Sequence, residues 1–216
     1  KAVLAFDLDS TLFDNLPRQA RIVREYGETH QLPALLACKP AHFTGGWDLR
    51  VPLTNLGLTA DEAEALFPQL KSYWAERFFT SEYCVDDIAI EGAADFTHRV
   101  VATGAKLAYV TGRQESMREG SVACMRREGL VIPDDQQVFL IMKPTLEEDD
   151  DAFKRVAHAR LRELGEVIAA FDNEPTHVND YRRVFPEAAS IHLATDHSGR
   201  SIVPLEDIIS VPHFGI

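Results

Sequence analysis

The sequence predicts an α/β fold, a Rossmann-like doubly wound parallel sheet with one inserted, mostly helical lobe. Three observations predict it. Five short runs, 2–6, 106–110, 138–142, 167–171 and 190–194, are apolar on largely consecutive positions, the pattern of strands covered on both faces. Helical patterns between the later runs stop at Gly104, Gly129 and Gly165, the residue that commonly closes a helix. The stretch from 15 to 87 breaks this alternation and is far too long for an ordinary strand-to-helix connection.

Taken in order, the first strand, Ala2–Phe6, runs into Asp7-Leu8-Asp9-Ser10-Thr11. Within 15–87, Pro17–Gln31, Ala60–Leu70 and Lys71–Tyr83 read as helices, with turn signals at Gly45-Gly46 and Leu56-Gly57. Thr59 and Glu62 have the spacing of a capping box. The expected division is an α/β core of residues 1–14 and 88–216 with a helical cap of residues 15–87. In the core, Ala93–Thr103, Glu115–Glu128 and Ala152–Leu164 read as helices. The second, third and fourth strands run into Thr111-Gly112-Arg113, Lys143-Pro144 and Asp172-Asn173-Glu174-Pro175. Doubly wound sheets bind ligands outside the carboxyl ends of their strands, so these four polar segments should converge.

The 216 residues include 22 basic and 34 acidic side chains, a net charge of −12, with 45% hydrophobic and 26% charged residues. That is the balance of a soluble globular protein. Such acidity argues against a nucleic-acid backbone or an anionic lipid surface as partner, because both demand a basic footprint. No apolar run approaches the roughly 18–20 residues of a membrane span. The first apolar run meets Asp7 too soon for an export signal. Cys38, Cys84 and Cys124, widely spaced and without a CxxC pair, fit reduced thiols, so a cytoplasmic location is expected.

Asp7 and Asp9 lie two apart at a strand end, where an extended backbone points both carboxylates the same way. Two carboxylates held together need a cation or a shared proton. Asp172 ends another strand and would add a third oxygen, and an all-oxygen set suits Mg²⁺.

Phe6-Asp7-Leu8-Asp9-Ser10-Thr11, followed by Tyr109-Val110-Thr111-Gly112-Arg113, a helix-borne lysine and Phe171-Asp172-Asn173, resembles the haloacid dehalogenase (HAD) superfamily, with all four of its motifs in order. The resemblance implies that Asp7 is a nucleophile forming an aspartyl-phosphate. It implies that Asp9 is the acid that protonates the leaving group and then the base that activates water. Thr111 and the backbone around Gly112 would hold phosphoryl oxygens, and Thr11 would brace the loop. Mg²⁺ would sit on Asp7, Asp172 and the backbone carbonyl of Asp9. Two lysines fit the third motif: Lys143, directly after a strand, and Lys154, on the helix before the fourth strand. The second is preferred because its setting resembles the phosphatase domains of polynucleotide kinases. The fourth motif departs from the common pattern at Asn173, with Asp180 further on, so the further acid near the metal is either Glu174 or missing.

Arg113 reads equally as a substrate ligand or a salt-bridge partner. His177 reads as a solvated loop residue, and Glu147–Asp151 as a solvated acidic loop running into a helix. Trp74 and Phe78 read as core of the lobe, and His42–Arg50 as the segment that selects substrate. The implied activity is Mg²⁺-dependent hydrolysis of a small phosphorylated metabolite, its only expected partner. A phosphomutase shares these motifs, and a non-catalytic phospho-ligand-binding module would keep the fold without turnover.

Overall fold

The computed structural model describes residues 1–215, and its first strand, β1 (Ala2–Phe6), lies inside a six-stranded sheet. The chain then forms β2 (Phe13–Asp14), helices α1 (Leu16–Thr29), α2 (Arg50–Asn55) and α3 (Ala60–Phe78), and β3 (Ile88–Ala89). Helix and strand alternate from there: α4 (Ala93–Ala102), β4 (Lys106–Gln114), α5 (Arg118–Arg127), β5 (Val138–Lys143), α6 (Asp150–Leu164), β6 (Glu166–Asp172), α7 (Pro175–Val184), β7 (Ala189–Leu193) and β8 (Ile209–Val211). The sheet order is β5-β4-β1-β6-β7-β8, and every neighbouring pair is parallel. Winding proceeds from β1 through β4 to β5, then crosses to β6 on the other side. The switch point therefore falls between β1 and β6, where doubly wound sheets open a crevice.

Both faces of the sheet are covered, which is why its strands are apolar on consecutive residues. Val3 and Ala5 of β1 pack with Val110, Phe153, Leu161 and Tyr181 on one side. Phe6 packs with Tyr109, Met125 and Phe171 on the other. Full burial of side chains this size contributes about 1.5–3 kcal/mol each.

The inserted lobe has an apolar cluster of its own, built on Ile22, Tyr26, Leu53, Leu70, Trp74 and Phe78. The two chain crossings between lobe and sheet are clasped by antiparallel pairing of β2 with β3, Phe13 opposite Ala89 and Asp14 opposite Ile88. The capping box forms: the Glu62 N–H donates to Thr59 Oγ1 at 3.3 Å, and the Thr59 N–H donates to Glu62 Oε2 at 2.8 Å.

Three expectations need correction. The helices expected over 60–70 and 71–83 are one helix, α3, which runs through Pro68 to Phe78 and is followed by a separate 3₁₀ turn at Glu82–Asp86. Its stripe Ala63, Leu70, Trp74 and Phe78 is buried continuously, and that burial outweighs the bond Pro68 deletes. A sixth strand, β8, extends the sheet beyond the five expected. Residues 175–184 form a helix with Pro175 in its first turn, so His177 lies on a helix and not in a loop. No helix among the described residues is long and apolar enough to cross a membrane.

Candidate active site

The site forms where β1 and β6 end. The Asp7 N–H continues the β1–β6 ladder by donating to Phe171 O at 2.9 Å, which seats the Asp7 carboxylate just beyond the sheet. Asp172 closes β6 beside it. Between them stands Lys154, on α6, which Asp149 caps by accepting the Ala152 N–H at 2.9 Å. Lys154 Nζ donates to Asp7 Oδ1 at 2.6 Å, to Val110 O at 2.7 Å and to Asp172 Oδ2 at 2.9 Å. All three ammonium protons are used, so this side chain has one fixed position. Of the two candidate lysines, Lys154 is the one that reaches Asp7 and Asp172.

Two buried carboxylates here share one ammonium. Burial, reinforced by Asp172 and Asp9, pushes the Asp7 carboxyl up to about 7, and Lys154 only partly offsets it. Burial also opposes charge on Asp172, but Lys154 and His177 more than reverse this and hold it below the usual carboxylate range. Among the described residues, the only hydrogen bond to the Asp7 carboxylate comes from Lys154, so Oδ2 is free. Asp172 Oδ1 accepts the Glu174 N–H at 2.9 Å and lies 3.4 Å from His177 Nδ1.

His177 is buried. Its Nε2 lies 2.9 Å from Asp151 Oδ1, and although burial opposes its charge, Asp172 raises its pKa. The acidic run is likewise not simply solvated: Asp151 also pairs with Arg200 at 2.8 Å, and Asp150 accepts from Lys143 Nζ at 2.7 Å. Lys143, only 4% exposed, is thus a tether for α6. A Cβ at Gly112 would approach Asp150 Oδ1 to 3.0 Å, so that carboxylate would have to shift slightly.

Asp9 turns to a different set of partners. Arg113 Nε donates to its Oδ2 at 2.9 Å and Arg113 Nη2 to its Oδ1 at 2.7 Å, with Arg18 Nη2 also on Oδ1 at 2.8 Å. Asp87, fully buried, accepts from Arg18 Nε at 2.8 Å and Arg113 Nη2 at 2.6 Å. Although burial opposes charge on Asp9, the two guanidiniums hold it well below the usual carboxylate range. Arg113 is therefore an internal ion-pair partner, and its guanidinium is committed before any substrate arrives. Thr111 is fully buried with its Oγ1 accepting the Arg113 N–H at 3.1 Å, so it shapes the turn below the cavity.

Among the described residues no three carboxylate, imidazole or thiolate side chains gather as a metal's ligand set. The reason is visible in Asp9, whose carboxylate faces arginines and leaves only Asp7 and Asp172 beside each other. Asn173 and Glu174 also point elsewhere. Asn173 Oδ1 accepts from Thr11 Oγ1 at 3.2 Å, and Glu174 accepts from the Ser198 N–H at 3.0 Å and Oγ at 2.9 Å. They pin the 194–200 loop against the site. Asp180 pairs with Arg183 at 3.0 Å on α7 and takes no part in this cluster.

Asp7, Asp9, Lys154 and Asp172 form part of the wall of a cavity of about 330 Å³, with Gly112 and Arg113 beside them. Trp47, Trp74, Phe78 and Phe79 of the lobe stand opposite. Sequence reasoning missed Arg18 and Asp87. The signal for Arg18 was a charged residue on the same buried stripe of α1 as Ile22 and Tyr26, where a cation needs a partner.

In fold the chain is similar to solved haloacid dehalogenase-like hydrolases and phosphatases. The chain is similar to a predicted phosphoglycolate phosphatase from Haemophilus somnus (17% identity, 98% of this chain and 94% of that one, TM-score 0.55). It is also similar to a putative haloacid dehalogenase-like hydrolase from Bacteroides fragilis (15% identity, 96% and 95% covered, TM-score 0.54). It spans 61% of the length of a class C acid phosphatase from Bacillus anthracis, at 14% identity over 87% of this chain and a TM-score of 0.46. No protein-family model matches the chain, and no curated protein does.

Proposed function

We propose that the protein is a Mg²⁺-dependent phosphohydrolase that cleaves small phosphorylated metabolites through a phosphorylated Asp7. The observation that carries this reading is Lys154 Nζ bridging Asp7 Oδ1 and Asp172 Oδ2 at the switch point of the sheet. A lysine so placed leaves one oxygen of a buried carboxylate free and directed at a cavity, which is what a nucleophile requires.

The first step forms a bond from Asp7 Oδ2 to phosphorus and breaks the bond from phosphorus to the ester oxygen, which departs with a proton. In the second, water attacks phosphorus, gives up a proton, and the bond to Asp7 breaks to release phosphate. Lys154 holds Asp7 in one rotamer and offsets charge gathering on the phosphoryl oxygens. Asp9, ionised between two arginines, suits the proton-accepting role of the second step. For the proton-donating role of the first step, its carboxylate must loosen from Arg113 and Arg18. Two carboxylates, Asp7 and Asp172, with the Asp9 carbonyl fit Mg²⁺, which takes one or two carboxylates and keeps several waters. When bound, that ion neutralises charge on the transferring phosphoryl group.

The test is phosphate release from a phosphomonoester with Mg²⁺, then with EDTA. Asp7→Asn is expected to lose at least about 10³-fold in kcat. An equal residual rate in the wild type and Asp7→Asn removes the nucleophile assignment.

A further inference from the structure

We infer that the cavity takes a phosphomonoester whose leaving group carries a flat unsaturated ring. This rests on the phosphohydrolase reading and narrows its substrate class. The chain has two tryptophans, Trp47 and Trp74, and both line the cavity that holds Asp7. They are not arranged as a simple apolar lid. Trp74 stacks on Phe78 with centroids 4.4 Å apart and planes 21° apart. Trp47 stands across this pair, 87° to Trp74 at 6.3 Å and 75° to Phe78 at 5.3 Å. Phe79 meets Trp74 at 80° and 5.5 Å. Two families of ring planes thus form a right-angled corner beside the nucleophile. A flat ring entering it can lie along one plane and meet the other edge-on, the two arrangements aromatic pairs favour. A saturated group of equal size gains only contact area there.

Two further features set the corner against this site. Gly46, just before Trp47, has φ +68°, and a Cβ there would come within 3.0 Å of His197 O. The loop carrying Trp47 therefore rests on the 194–200 loop that Glu174 fastens, and the position of the ring is tied to the end of β6. The second is Trp74 itself. It is only 8% exposed, yet its indole N–H has no acceptor among the described residues. The nitrogen itself is shut off from the cavity, so Trp74 meets a ligand only through its ring.

The experiment compares esters that share a leaving oxygen and differ in the ring: benzyl against cyclohexylmethyl phosphate, and uridine 5′-monophosphate against ribose 5-phosphate. Wild-type kcat/KM is expected to favour the ring-bearing member by roughly tenfold in at least one pair, and which pair it is separates a simple aryl group from a nucleobase. Trp47→Leu should bring that ratio below about two, while Trp47→Phe, which keeps a ring, should retain most of it. A wild-type ratio near one in both pairs, or a ratio that survives Trp47→Leu, overturns the inference. A second readout does not need turnover. Because Trp47 and Trp74 are the protein's only tryptophans, their emission reports occupancy of this cavity. Titration with benzylphosphonate is expected to saturate at a several-fold lower concentration than with cyclohexylmethylphosphonate, and equal midpoints count against the inference. Ring preference in the titration with no ester cleaved overturns the phosphohydrolase reading and keeps the ring. Cleavage of all four esters without preference does the opposite.

Discussion

Two buried charge clusters lie side by side beneath the cavity, and they differ in their balance. Asp9, Asp87, Arg18 and Arg113 pair two carboxylates with two guanidiniums, each carboxylate touching both arginines. Asp7 and Asp172 have one ammonium between them, with His177 beside Asp172. The first set is neutral and spans the junction of lobe and core, with Arg18 on α1, Asp87 just ahead of β3, and Asp9 and Arg113 on the core side. The second carries an excess of negative charge, and its response is visible in the Asp7 carboxyl, pushed up to about 7. A balanced buried cluster fixes a geometry.

The sharpest way to break this comparison is to remove the single cation of the second cluster. Lys154→Met leaves Asp7 and Asp172 facing each other and should cost about 3–5 kcal/mol in urea unfolding without added metal. Activity should also be lost, whereas Lys154→Met with full activity removes the assignment of its role. In the balanced cluster, Arg18→Met should cost about 3 kcal/mol, because it deprives Asp87 of a buried partner. The double variant Arg18→Met with Asp87→Leu takes out one charge of each sign and should recover at least half of that loss. If the double variant is no better than the single, the arginine acts through packing alone, since its guanidinium also lies 4.0 Å from the Phe78 ring centroid.

Acidity gives the next distinction. The Asp7 carboxyl titrates higher folded than unfolded, so its contribution is fully present below about pH 4 and is lost as pH rises through about 7. Metal-free protein should therefore lose on the order of 2 kcal/mol between pH 5 and 8 from this group. Asp7→Asn should flatten that slope in thermal denaturation, and Mg²⁺ should stabilise the wild type more at pH 8 than at pH 5. Asp9 and Asp172, held below the usual range, have the opposite sign: their contribution stands above about pH 4 and is lost only in stronger acid. A wild-type slope that persists in Asp7→Asn would remove the charge excess from the account.

The smallest effect is in the turn joining the two clusters. Ser10, between Asp9 and Thr11, has φ +58°, a left-handed conformation that costs most side chains about 1 kcal/mol. Ser10→Gly should change stability by less than about 1 kcal/mol, because relief of strain is offset by the greater freedom of unfolded glycine. A loss of several kcal/mol would show that the serine side chain holds the turn.

Much of the site was legible in the sequence because strand ends in a doubly wound sheet converge wherever the intervening residues go. That rule placed Asp7 and Asp172 together once the apolar runs were recognised, whereas Lys154 was singled out over Lys143 by the resemblance of its setting. His177 was misjudged because Pro175, which opens α7, was read as a continuation of the turn. Arg113 was left undecided because a guanidinium two residues past a strand end points equally well to solvent, to substrate or inward. The pairing of Arg18 with Asp87 was not legible because the two lie 69 residues apart; only the packing of α1 against the lobe's exit brings them together.

The sequence by itself determined the α/β fold, the edge of the sheet that bears the chemistry and the acid pair after β1. These follow from local patterns: apolar runs, glycine stops and the residues just past each strand. Tertiary structure alone decided which carboxylate received the ammonium and which the arginines, and hence that Asp7 keeps one oxygen free while both oxygens of Asp9 are bound. It also decided that an aromatic corner from the lobe stands over them. Charge pairing between residues remote in sequence depends on distances of a few ångströms in a buried, low-dielectric space, and no local pattern encodes those distances.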